Sequence, residues 1–219
     1  LGAKVLGSQV GWPIIRADLA GAKGSLVGQS EAAVKNIFAT ARALAPCILY
    51  IDEVEKWAAG AASSGMTDGG TTSGMLSIAL TAIQDIHDEG DPVLLYCTAN
   101  DYSKMPAELI RRMDKLFFFD LPPRSERVEI AQIHLKKYGV AVDGLPEKVA
   151  TLTADWTGSE IEQLVKAAAR RTNRKVTVAA LETAAADIVP ISKTSNIVEL
   201  RKWAVDHMAR ANDEETVPV

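Results

Sequence analysis

An unbroken apolar run, Cys47-Ile48-Leu49-Tyr50-Ile51, ends on two adjacent carboxylates, Asp52 and Glu53. Paired acids at the C-terminal end of a buried strand can divide a hydrolytic task, the first holding Mg2+ through water and the second orienting an attacking water. The same pair can also do no more than cap a strand exit. A second apolar run, Val93 to Cys97, ends in Thr98-Ala99-Asn100. This sets the Asn100 amide beside the carboxylates, able to bond the same water or a terminal phosphate; taken alone, Asn100 reads as a turn residue. Arg111 and Arg112 follow a helix that starts near Pro106. Their forked donors suit a phosphate bound to an adjacent subunit, or they form an ordinary surface pair. Ile130 and His134, one helical turn apart, could pack an adenine and its ribose, or simply dock their helix on the first domain. Gly158-Ser159 at a helix start offers free backbone N–H groups near a nucleotide, or an N-cap.

These residues require elements to hold them. Up to about Leu121 strands and helices alternate. A helix over Leu1 to Val10 leads into an extended run from Ile14 to Asp18. Ser30 caps a helix with apolar positions Ala33, Val34, Ile37, Phe38 and Ala41, and a further helix covers Met75 to His87. Leu116 to Phe119 reads as another strand. Continuous apolar strands separated by helices predict an α/β fold, a parallel sheet covered on both faces, with ligands at the C-terminal ends of its strands. From Arg124 onward only helices are predicted: one capped by Ser125 and running to Tyr138, one from Pro146 to Ala154, one opened by Ser159 and reaching Arg174, one near Val178 to Ile188, and an amphipathic stretch from Ile197 to Arg210. The expected domains are 1–123, 124–190 and 191–219, the last a helix and a frayed acidic tail. Gly60 to Gly74 has the composition of a mobile loop.

Composition narrows the function. The 219 residues are 47% hydrophobic with a formal charge of -4, enough for a real core and without a blanket basic surface, so nucleic acid is not expected as a partner. No stretch approaches the roughly 20 apolar residues of a membrane span, and no basic-then-apolar leader opens the chain. Cys47 and Cys97 both sit in apolar strands and read as core thiols of a reducing compartment. A soluble intracellular protein is expected, cytoplasmic, or stromal if of plastid origin.

Asp52-Glu53 after Ile48 to Ile51, Thr98-Ala99-Asn100, the Arg111/Arg112 element, the Ile130 and His134 pair and Thr157-Gly158-Ser159-Glu160 occur in the order and spacing of AAA ATPases, which the chain resembles over nearly its whole length. Ser25 to Glu31, Ala45-Pro46-Cys47, Pro106 to Leu109, Val189-Pro190 and Leu200 to Ala204 are similar to the uncharacterised chloroplast and cyanobacterial-type AAA ATPase family. The resemblance implies a P-loop NTPase-type sheet followed by a small all-α lid, ATP and Mg2+ as cofactors, and hydrolysis at a subunit interface of a ring, a hexamer of copies of the chain, coupled to chaperone-like remodelling of a protein. It assigns Asp52 (the Walker B aspartate) to Mg2+ through water, Glu53 to the hydrolytic water, Asn100 to sensing the terminal phosphate, and Arg111 and Arg112 to action in trans. Ile130, His134, Gly158 and Ser159 would line the adenine and ribose site.

Three departures accompany the resemblance. No G-x-x-x-x-G-K-[ST] occurs, nor any Gly-Lys dipeptide; Gly21-Ala22-Lys23-Gly24-Ser25 follows the wrong strand. Leu1-Gly2-Ala3-Lys4 resembles the helix after that loop, so the loop and the first strand are expected upstream of Leu1, the chain as written is expected to bind ATP poorly, and the sheet is expected to have unpaired edges at the gap. Two residues between Arg111 and Arg112 are missing from the arginine element. Leu26-Val27-Gly28 stands where protein-threading relatives carry an aromatic residue, and Gly60 to Gly74 offers a second pore element. The alternative is a catalytically silent AAA-fold scaffold; a nucleic-acid motor finds no basic stripe.

Overall fold

The computed structural model describes residues 2–19, 29–57, 71–140, 144–193 and 197–211. Its chain divides into two compact units, Leu1–Asp114 and Lys115–Val219. The predicted pore elements, the Gly21 to Ser25 run and the acidic tail fall outside the described residues, apart from the end of the Gly60 to Gly74 segment, which is helical from Thr71.

In the first unit, α1 (Gly2–Val10), β1 (Ile14–Ala17), α2 (Gln29–Ala43), β2 (Cys47–Ile51), α3 (Thr71–Glu89), β3 (Val93–Cys97) and the short α4 (Ala107–Ile110) follow in order. The strands form one parallel sheet, β1-β2-β3, in which Ala17, Ile51 and Cys97 stand at one level. Alternation then sorts the side chains. Ile15, Leu49 and Leu95 join Val34 and Phe38 of α2 and Met75 of α3 in one core. The opposite face meets α1, where a Cβ at Gly7 would lie 2.9 Å from the Ile14 side chain. Cys47, Ile48 and Leu49 are fully buried, as a strand covered on both faces must be. Both cysteines are free; burial pushes the Cys97 thiol up to about 12, so neither behaves as a nucleophile.

The second unit holds β4 (Phe117–Phe118), α5 (Arg124–Lys137), α6 (Leu145–Leu152), α7 (Gly158–Arg171), α8 (Val178–Ala186), α9 (Ile197–His207) and β5 (Ala209–Arg210). Its core joins Ala131 and Leu135 of α5, Val149 of α6, Ile161, Leu164 and Val165 of α7 and Leu181 of α8.

Several expectations need correction. The strand expected at Leu116 to Phe119 is β4, and it pairs in parallel with β5, not with the sheet of the first unit. The second unit therefore holds this short strand pair beside its helices. Arg201 Nε, 2.9 Å from both Asp120 oxygens, fastens α9 beside that pair, and the stretch that scans as helix to Arg210 leaves the helix after His207 to form β5. Ser30 lies inside α2 and is fully buried. Pro123, not Ser125, is the N-cap of α5. Thr157, not Ser159, caps α7, because Glu160 completes a capping box with it.

Candidate functional site

Parallel strands that end at one level bring their exit residues together. Beyond the last ladder pair the backbone stays clamped: Thr98 N–H donates to Ile51 O at 3.0 Å and Val54 N–H to Thr98 O at 2.9 Å. Asp52 and Glu53 are thereby held against Thr98, and one hydroxyl joins them. Thr98 Oγ1 donates to Asp52 Oδ1 at 2.6 Å and accepts from the Glu53 N–H at 3.1 Å. Asn100 Nδ2 donates to Glu53 Oε1 at 3.1 Å. Asp52, Glu53 and Asn100 are thus brought together as the sequence predicted, and the backbone turns sharply to do it, with Glu53 at φ 50° in the left-handed region.

Cations complete this cluster. Arg16 at the end of β1 lies 3.3 Å from Asp52 Oδ2, and Lys56 Nζ lies 2.6 Å from Glu53 Oε2. The Thr98 hydroxyl foremost, then Tyr50 and the Arg16 charge, hold the Asp52 carboxyl below its usual range. Glu53 raises the Lys56 ammonium above its own. Asp52 and Glu53 keep side-chain exposures of 39% and 41%, so an ionised carboxylate stands open to a hydrated cation, the donor chemistry Mg2+ prefers. Sequence reasoning named Thr98 only as part of a run and missed Arg16 and Lys56. A hydroxyl at the exit of the strand beside the paired acids was a readable signal; the reach of Arg16 depends on strand order and was not.

Arg111 and Arg112 stand apart. Arg111 is the C-cap of α4 and its Nε bonds back to Ala107 O at 3.3 Å; the Arg112 guanidinium bonds Gln84 of α3. Both are exposed, and among the described residues no hydrogen bond joins them to the acidic pair.

In the second unit Gly158 meets Ile130, which lies one turn from His134 on α5. A Cβ at Gly158 would lie 3.6 Å from Ile130 Cδ1, so the start of α7 rests on the Ile130 side of α5. His134 Nδ1 is buried without a hydrogen bond, 3.8 Å from Glu162 Oε1. Burial outweighs that carboxylate and lowers the imidazole's pKa, leaving it neutral near pH 7. Glu160 accepts from the Thr157 N–H at 2.7 Å while Thr157 Oγ1 accepts from the Glu160 N–H at 3.3 Å. Gly158 and Ser159 are therefore not the cap, and their N–H groups are the first two of α7. Among the described residues no group of three or more His, Cys, Asp or Glu has metal-holding geometry, and no helix is long and apolar enough to cross a membrane.

Comparison with known proteins gives a consistent picture. The model of the "ATPase family associated with various cellular activities (AAA)" matches residues 1–121. The chain is 33% identical over 223 residues to the "Uncharacterized AAA domain-containing protein ycf46" of Gracilaria tenuistipitata var. liui, covering 95% of this chain and 43% of that protein. It is 31% identical over 144 residues to the "Cell division cycle protein 48 homolog" of Archaeoglobus fulgidus, covering 65% and 19% respectively. The crystal structure of the FIGL-1 AAA domain in complex with ADP superposes with a TM-score of 0.77 at 19% identity, over 94% of this chain and 73% of that one. The chain spans less than half the length of the ycf46 proteins it matches.

Proposed function

Because the chain belongs to the AAA family of ATPases, whose members bind and hydrolyse ATP, we propose that its parent protein hydrolyses ATP with Mg2+ between subunits of a ring, a hexamer, and uses the cycle to remodel a protein partner. The observation that carries this reading is the single hydroxyl of Thr98, bonded to Asp52 and to the Glu53 N–H, with Asn100 on Glu53. A strand-capping pair of acids needs no such positioning.

In this reading Asp52, kept ionised by Thr98, would hold Mg2+, while Glu53 orients a water and accepts its proton at a carboxylate oxygen. Mg2+, when bound, supplies charge neutralisation at the terminal phosphate. The Asn100 amide shares its donors between Glu53 and that phosphate. The second unit offers a neutral imidazole at His134, the Ile130 side chain and the Gly158 and Ser159 N–H groups to the adenine and ribose. Arg111 and Arg112, exposed and off the acidic cluster, act on a neighbour's ATP. The residues fit the cation and the water; the phosphate-cradling motif is not in this sequence, so this chain alone binds ATP poorly.

Glu53→Gln in the whole protein is the test. Hydrolysis falls by at least about 100-fold, the scale of a lost general base, while ATP is still bound. Unchanged hydrolysis removes Glu53 from this role. A second reading, a silent AAA-fold scaffold, is favoured by the Arg16 and Lys56 ion pairs, which compete with a cation for the two half-exposed carboxylates; a whole protein that binds ATP without turnover in its native form establishes it.

A further inference from the structure

The C-terminal ends of α5 and α7 enclose a hollow of about 460 Å3 whose rim includes Lys136, Lys137, Arg170 and Arg174 and no carboxylate. Lys137 is spoken for, with its Nζ 2.6 Å from Glu162 Oε1. Lys136, Arg170 and Arg174 make no ion pair or side-chain hydrogen bond among the described residues. In a chain of net charge -4 such a cluster needs a reason. Cations in the last turn of a helix offset its macrodipole, which accounts for Lys136, Lys137 and Arg170. It does not account for Arg174, which lies beyond α7. There two consecutive residues other than glycine, Asn173 at φ 48° and Arg174 at φ 69°, take the left-handed conformation, which L residues adopt rarely. The turn carries the Arg174 side chain over Gly139, where a Cβ would lie 3.8 Å from its Cδ and Nη1.

We propose that this hollow is a docking site for an acidic segment of a partner protein, gripped by Arg170, Arg174 and Lys136. Two guanidinium groups on one concave rim suit carboxylates, which they can bond in pairs. Nucleic acid fits less well. Tyr138 donates its hydroxyl to Glu162 at 2.9 Å and carries Lys137 Nζ 5.6 Å from its ring centroid, so it is no free platform for a base, and the cations form a compact cluster, not a stripe. The proposal does not depend on ATP turnover, because none of these residues belongs to the acidic cluster of the first unit.

The probe is a fluorescein-labelled Glu/Ser repeat peptide, titrated with the 219-residue chain and followed by anisotropy at about 50 and about 200 mM salt. The peptide binds, more weakly at the higher salt, and Arg170→Ala with Arg174→Ala weakens binding at least about tenfold, the scale of charge-assisted bonds. Arg174→Gly, which keeps the left-handed turn, weakens it too, whereas Lys148→Ala on the exposed side of α6 does not. Unaltered binding in the double variant, an equal loss in Lys148→Ala, or tighter binding of a single-stranded DNA of equal charge overturns the proposal.

Discussion

Thr98→Val tests the reasoning behind the acidic cluster most directly, because valine keeps the shape of the side chain and removes only the hydroxyl. That hydroxyl serves two partners, Asp52 Oδ1 at 2.6 Å and the Glu53 N–H at 3.1 Å. A hydrogen bond to a charged group contributes about 1.5–3 kcal/mol; Asp52 is 39% exposed, which places this one at about 1 kcal/mol after solvent screening. Leaving the part-buried Glu53 N–H without an acceptor costs on the order of 1 kcal/mol more. The α/β unit should therefore lose about 2 kcal/mol at pH 7, a fall of roughly 1 M in its urea midpoint. The sign with pH is set by Asp52, whose carboxyl is held below its ordinary value by this hydroxyl first of all. Its stabilisation is present above the unfolded value of about 3.9 and is lost as pH falls through the lower folded value. The gap between wild type and variant should thus shrink by about half on acidification through that window, while the share due to the Glu53 N–H persists. Urea unfolding at neutral and acid pH, with a carbon-13 titration of the Asp52 carboxyl, reads both effects. An Asp52 titration identical in the two proteins, or a stability gap that ignores pH, refutes the argument.

Two further predictions concern the helical unit. Glu160 accepts from Thr157 N–H and from Ile191 N–H, at 2.7 and 2.6 Å, so Glu160→Ala should cost about 2 kcal/mol in chemical unfolding; a loss below about 0.5 kcal/mol, the scale of an ordinary surface change, would show the capping box to be incidental. His134 is kept neutral by burial, so its folded value lies below the unfolded one near 6.5, and stability declines as pH falls from there through the folded value. His134→Gln cannot titrate and should lose less stability between pH 7.5 and 5.5 in thermal unfolding; equal losses would mean that this imidazole is not the group responsible.

The sheet and the acidic cluster were legible because their signals are local. Five apolar residues before Asp52-Glu53 and five before Thr98 define buried strands wherever they occur, and parallel strands place their exit residues side by side. What stayed hidden depends on partners remote in sequence. Phe117-Phe118 reads as the last strand of a series until Ala209 and Arg210 are seen beside it, 92 positions away along the register. Two caps were misplaced by two residues because Ser125 and Ser159 are good capping residues by type. Thr157 prevails over Ser159 through a reciprocal bond with Glu160, and Ser30 lies within α2. Arg111 and Arg112 sit where the sequence put them, yet their side chains turn to Ala107 and Gln84, contacts no spacing rule supplies.

The pairing of β4 with β5 also has a mechanical side. One strand opens the second unit and the other closes its described part, and they run parallel, joined by Ala209 N–H to Leu116 O at 2.9 Å and Ala211 N–H to Phe118 O at 3.0 Å. In a parallel pair, tension drawn between the start of one strand and the end of the other acts along the strands, so these bonds are loaded together in shear and do not peel open one after another. With the Asp120–Arg201 bridge beside them, they form a clasp across the two ends of the unit, and a pull transmitted through the chain meets this clasp before it reaches the helices inside.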